Sequence, residues 1–135
     1  MSPLPVSASL QDYLEAILNL SANGEPARVT DIAAVLNLAK ASVTQALGVL
    51  QEQGLVSHDR YGPVALTDQG YRLAVTVKNR HEVILNFLVE VLRVDPLVAE
   101  QDACLLEHSV SSQTMEKLVQ FLERNNSAGS RMREE

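Results

Sequence analysis

Aromatic residues make up only 4% of this 135-residue chain, and tryptophan is absent. A core built without them must come from Leu, Val, Ile and Ala, a composition that points to helices. There is a single cysteine, Cys104, so no internal disulfide can form and the cytoplasm is the expected compartment. No apolar run approaches the roughly 20 residues of a membrane span, so no membrane partner is expected. Residues 1–9 lack the basic start and apolar stretch of a signal peptide. Cations are also short: 11 Lys and Arg stand against 17 Asp and Glu, for a net charge of −6. Nucleic-acid binders are more often basic, so any DNA-binding reading has to rest on local features. Splitting the chain does not remove the difficulty, because residues 1–72 hold only Arg28, Lys40, Arg60 and Arg72 against a larger number of acids. What remains is ordinary for a folded chain: 46% hydrophobic, 21% charged, and long enough for one domain or two small lobes.

The apolar spacing predicts mostly helix. Leu10, Tyr13, Leu14, Ile17, Leu18 and Leu20 recur at helical intervals over Leu10–Ser21, with Ser9 as the expected cap. Asn23-Gly24-Glu25-Pro26 reads as a turn, Arg28-Val29 as a short extended piece, and Thr30 as the cap of a helix over Asp31–Leu36. After a tight turn a third helix covers Lys40–Gln53 and stops at Gly54. Short helix, tight turn and longer helix describe a helix-turn-helix. Two short strands around Tyr61-Gly62-Pro63 then form a hairpin, which makes the unit a winged helix-turn-helix. Thr67 or Asp68 caps a long helix over Gln69–Leu92, followed by helices over Pro96–His108 and Gln113–Glu123. The fold expected is therefore mainly α: a winged helix-turn-helix DNA-binding domain over 1–72, then an all-helical dimerisation domain over 73–124. Residues 125–135, polar and containing Gly and Ser, are expected to be a disordered tail. The second segment is too short and too apolar to stand alone, and burial against a second copy in a symmetric homodimer is the simplest solution.

One stretch of that second segment carries unusual chemistry. In Asp102-Ala103-Cys104-Leu105-Leu106-Glu107-His108, helical geometry puts Cys104, Glu107 and His108 on one face. Thiolate, carboxylate and imidazole together suit a mid-series divalent metal, while a half-buried cysteine beside solvated neighbours is the plainer alternative. Asp12 and Glu15, three apart on the first helix, read by themselves as acids favoured by the helix dipole. His58, in the wing, reads as a surface residue.

Taken in order, Gln11-Asp12-Tyr13-Leu14-Glu15-Ala16-Ile17, Val29-Thr30-Asp31-Ile32-Ala33, Ser42-Val43-Thr44, Gly54-Leu55-Val56, Leu66-Thr67-Asp68-Gln69-Gly70, Arg80-His81-Glu82 and Asp102–His108 resemble the diphtheria-toxin-repressor and manganese-transport-regulator family of metal-dependent transcriptional repressors. The resemblance covers about residues 9–124. It implies metal ligands at Asp12, Glu15, His81, Cys104, Glu107 and His108, and Fe(II) or Mn(II) as the cofactor. It also implies DNA-facing residues: Gln45, Ala39 and Ala41 toward bases, and Lys40, Ser42, Thr44 and Arg60 toward phosphates. The chain departs from both branches. Manganese-type members carry a carboxylate where Cys104 stands, and iron-type members a methionine where Asp12 stands. Leu85 and Glu100 occupy positions where iron-type members place ancillary ligands, a carboxylate and a histidine, and the SH3-like domain of that branch is not expected here.

The function implied is a metal-activated repressor that binds a palindromic double-stranded DNA operator as a dimer, controls metal-homeostasis genes and has no enzymatic activity. Ligands from both lobes would fix the separation of the two recognition helices only when metal is bound. Two other classes share some of these features. A winged-helix regulator answering to an organic ligand would leave the six-residue constellation unexplained. A small metalloenzyme would need a general base and a cleft that no spare His or Glu supplies.

Overall fold

The computed structural model describes residues 6–59 and 62–134, with side chains through residue 125. In chain order the elements are α1 (Ala8–Leu20), α2 (Val29–Leu36), α3 (Lys40–Glu52), β1 (Val56–His58), β2 (Val64–Leu66), α4 (Asp68–Asn86), a π-helical turn (Phe87–Val91), α5 (Pro96–Ser109) and α6 (Ser112–Glu134). They fall into an N-terminal unit, Val6–Lys78, and a C-terminal unit beginning at Asn79. The division thus lies inside α4, a few residues beyond the expected boundary at Arg72. Among the described residues no single helix is long and apolar enough to cross a membrane.

In the N-terminal unit, α1 is capped by Ser7 rather than Ser9: the Ser7 hydroxyl accepts the Leu10 N–H, and Ser7 O accepts the Gln11 N–H at 2.9 Å. The helix therefore starts one turn's fraction earlier, and Ser9 lies inside it. Its buried face is Tyr13, Leu14, Ala16 and Ile17. α2 also begins before its expected cap. Ile32 N–H donates to Arg28 O at 3.0 Å, which draws Thr30 into the first turn. The extended piece is Ala27-Arg28, and Val29 already belongs to the helix. Val64 N–H donates to Ala27 O at 2.7 Å, adding an antiparallel bridge beside the hairpin.

Both ends of the helix-turn-helix are closed the same way. After α2, Leu38 N–H reaches Ala33 O and Asn37 N–H reaches Ala34 O, with Asn37 left-handed at φ 56°. After α3, Leu55 N–H reaches Leu50 O and Gly54 N–H reaches Gln51 O, with Gly54 at φ 75°. These paired bonds satisfy carbonyls that a helix end leaves orphaned. Asn and Gly are the residues that tolerate the left-handed conformation required there. Within α3, Val43, Leu47 and Leu50 are fully buried against Leu14, Ile17 and Ile32.

The wing is a two-stranded antiparallel sheet with Val56 opposite Leu66, Ser57 opposite Ala65 and His58 opposite Val64. His58 is half-buried rather than fully exposed. Thr67 then does two jobs: its hydroxyl donates to Gly54 O at 2.7 Å and accepts the Gly70 N–H at 3.0 Å, capping α4. Gly70 packs directly on the backbone of Leu55. A Cβ there would overlap the Leu55 carbonyl oxygen and lie 2.8 Å from its carbon.

The C-terminal unit packs Ile84, Leu88, Ala99, Ala103, Met115, Val119 and Leu122 into a second core. The long helix expected to run to Leu92 changes character at Phe87. Leu92 N–H donates to Phe87 O at 3.2 Å, a wider turn than the α-helix makes, and Arg93 is left-handed at φ 62°. Asp95 caps α5 by accepting the Leu97 N–H at 2.9 Å, with Pro96 at the first helical position. Ser111 caps α6 in the same manner. The backbone of α6 continues to Glu134, where a disordered tail was expected. Extending a helix already nucleated and packed at Met115 and Leu122 costs far less than starting one, so the polar composition of residues 125–134 does not by itself end it.

Candidate metal centre and DNA-recognition surface

His81 stands on α4, six residues before the π-helical turn begins to change the helix's register, and its side chain is 12% exposed. Two carboxylates of α5 flank its ring. Glu100 Oε1 lies 2.8 Å from Nε2, and Glu107 Oε1 lies 3.3 Å from Nδ1. Glu100 is well exposed, but Glu107 is only 14% exposed and its Oε1 is buried without a hydrogen bond. A carboxylate oxygen in that position is costly unless a positive centre approaches it. Cys104 is half-buried on the same face of α5, one helical turn from Glu100 and from His108, and His108 is exposed. Sulfur, imidazole nitrogen and carboxylate oxygen thus collect along α4 and α5, and an orphaned buried oxygen sits among them. The set fits a divalent transition metal.

Glu100 was not among the expected ligands. Its signal was in the sequence, four residues before Cys104 and seven before Glu107 on a helix, but its role depends on the ring of His81, which no spacing rule places. Leu85, at the other ancillary position, packs against the C-terminal core and offers no ligand atom. In the N-terminal unit Asp12 and Glu15 are neighbours on α1, both half-buried beside the fully buried Leu14 and Ile17.

On α3 and its preceding turn, Ala39, Lys40, Ala41, Ser42, Thr44 and Gln45 are all exposed, while Val43 and Leu47 point into the core. One side of the helix is therefore held by packing and the other is open to solvent. Arg60, also expected to face DNA, lies outside the described residues.

A sequence model of the N-terminal DNA-binding domain of iron-dependent repressors matches residues 6–64, and one of their metal-binding and dimerisation domain matches residues 67–128. The chain belongs to the iron-dependent repressor family. Members of this family are DNA-binding, metal-dependent transcriptional repressors, not enzymes, and they dimerise through the C-terminal domain. A helix-turn-helix transcriptional regulator of Methanocaldococcus jannaschii is 36% identical over 120 residues, 88% of this chain and 96% of the relative. The transcriptional regulator MntR of Escherichia coli O6:H1 is 34% identical over 116 residues, 86% of this chain and 74% of that protein. Among solved structures, a manganese-dependent transcriptional repressor in complex with manganese superposes with a TM-score of 0.70 at 31% identity, over 84% of this chain and 52% of that one. The manganese regulator SloR gives 0.69 at 29% identity, over 91% of this chain and 55% of that one. The chain spans about half the length of these two structures. In this iron-dependent repressor, Leu97, Leu105 and Phe121 of the dimerisation domain are left exposed in the single chain. Large apolar side chains of that kind suit an interface with a second copy.

Proposed function

We propose that this repressor is activated by Fe(II) or Mn(II), held by Asp12, Glu15, His81, Cys104, Glu107 and His108, and that it then binds a palindromic operator of metal-homeostasis genes in the cytoplasm. The observation that carries the reading is Glu107: a buried carboxylate oxygen, without a hydrogen bond, facing an imidazole nitrogen at 3.3 Å. When bound, a divalent ion would supply the positive charge that lets several carboxylates share one site. The residues do the rest. Glu107 and His81 tie α5 to α4, and Asp12 and Glu15 bring α1 into the same ligand set. Occupancy of that proposed ligand set is the differential contact that metal activation requires.

On DNA, Gln45 would pair with an adenine edge, and Ala39 or Ala41 would meet thymine methyls. Lys40, Ser42, Thr44 and Arg60 would hold phosphates and set the register. A palindrome follows from dimer symmetry, with the two recognition helices about one turn of DNA apart. The thiolate of Cys104 with the hard oxygens of Asp12 and Glu15 favours Fe(II) or Mn(II) where those are the available ions, although Zn(II) and Co(II) bind thiolate sites at least as tightly.

The decisive experiment titrates metal-free protein with each first-row divalent ion under anaerobic conditions and follows binding to a palindromic promoter fragment. Metal should raise DNA affinity, and His81→Ala should remove that response while leaving the far-ultraviolet circular dichroism unchanged. Equal gel shifts with and without Mn(II) or Fe(II) would rule the mechanism out.

A further inference from the structure

We infer that Glu100 is a positioning residue for the metal centre: it fixes the ring of His81 so that Nδ1, and not Nε2, is presented toward Glu107. The inference rests on the metal-binding reading above and adds a residue to it. Glu100 Oε1 is 2.8 Å from His81 Nε2, a short contact of the kind a ring N–H makes to a carboxylate. A carboxylate oxygen accepts, so the ring donates to Glu100 from Nε2 and leaves Nδ1 as the nitrogen turned toward Glu107 Oε1, at 3.3 Å. Nδ1 and Glu107 Oε1 are close enough to serve as neighbouring donors to one cation, since donors at about 2.1 Å from an octahedral ion stand roughly 3 Å apart.

The two carboxylates differ in the way this division of labour needs. Glu107 is the buried one, with no hydrogen bond at Oε1, whereas Glu100 is 59% exposed and already engaged by the ring. Burial favours Glu107 as the donor to metal and leaves Glu100 as the group that orients the histidine. Such an outer carboxylate selects one ring nitrogen and makes it a better donor. Both glutamates lie on α5, two turns apart on one face, so a single helix supplies the ligand and the support of the ligand.

The test compares wild type, Glu100→Ala and Glu100→Gln. Isothermal titration with Mn(II) should show affinity falling about 10- to 100-fold in Glu100→Ala, the usual loss when an outer-shell partner is removed. Glu100→Gln, which keeps an acceptor oxygen, should recover most of it. X-ray absorption of the Mn(II) forms should give the same number of light-atom ligands in all three. If wild type binds no first-row divalent ion, the metal reading itself falls and this inference with it. If wild type binds but Glu100→Ala matches it in affinity, only the role of Glu100 is overturned. Loss of an oxygen ligand in Glu100→Ala would overturn it in favour of direct ligation.

Discussion

Replacing Glu107 by methionine should make the metal-free repressor more stable and the metal-supplied repressor less stable than wild type. A buried polar atom without a hydrogen bond costs about 1–3 kcal/mol, and Glu107 Oε1 is such an atom. The side chain retains 14% exposure and faces His81 Nδ1 at 3.3 Å, and both features reduce the penalty. The lower end of the range applies, so the substitution should return about 1 kcal/mol. Methionine is unbranched, similar in length and adaptable in packing, so little is lost to a cavity. With metal the sign reverses. Ion present at a hundred times its dissociation constant stabilises the wild type by about 2.7 kcal/mol, and a chain lacking a central ligand forgoes most of it. Urea denaturation followed by circular dichroism, at one protomer concentration because dimerisation also contributes, measures both differences. The methionine variant should have the higher midpoint in EDTA and the lower midpoint in Mn(II). A variant less stable than wild type in EDTA would show that Glu107 Oε1 is already satisfied in solution and would refute the reasoning.

Three further outcomes are expected. Gly70→Ala forces a Cβ into the Leu55 carbonyl and should cost at least about 1–3 kcal/mol, the range for overpacked sites; an unchanged thermal midpoint would mean that α4 can pull away from the wing freely. Thr67→Ala removes the cap of α4 and its bond to Gly54 O, for about 1 kcal/mol, and Thr67→Ser should restore most of it, both read from urea midpoints. Gln45→Ala should flatten the preference among operator variants by about 1–3 kcal/mol at one base pair without moving the metal affinity; an unaltered footprint would remove Gln45 as a base reader.

The order of elements was legible because periodicity and punctuation agreed over most of the chain. Gly54 marked the end of α3, Asp95-Pro96 marked the start of α5, and Val43, Leu47 and Leu50 named their own buried face. The helix starts were less legible. Ser7 and Ser9 are equally good caps on composition, and only the backbone path chooses between them. The π-helical turn left no trace in the pattern, since Phe87-Leu88-Val89 is apolar whichever way the helix winds. Most of the metal centre came from the family resemblance, not from spacing: Cys104, Glu107 and His108 share a helix face, but nothing local connects them to His81. Glu100 shows the limit most clearly. Its position on the ligand face could be counted, while its partner sits nineteen residues away on another helix.

The recognition helix bears one cation. From Lys40 to Glu52, Lys40 is the only basic residue, and it is offset by Glu52 at the other end. Counterion release scales with the phosphates that cations neutralise, at a slope of about 0.9 per contact, so α3 adds little to the dependence of operator affinity on ionic strength. The same economy limits sequence-blind adhesion to bulk chromosomal DNA, which is mostly electrostatic. A repressor whose recognition helix is built this way gives up electrostatic steering and gains a low background of sequence-blind binding.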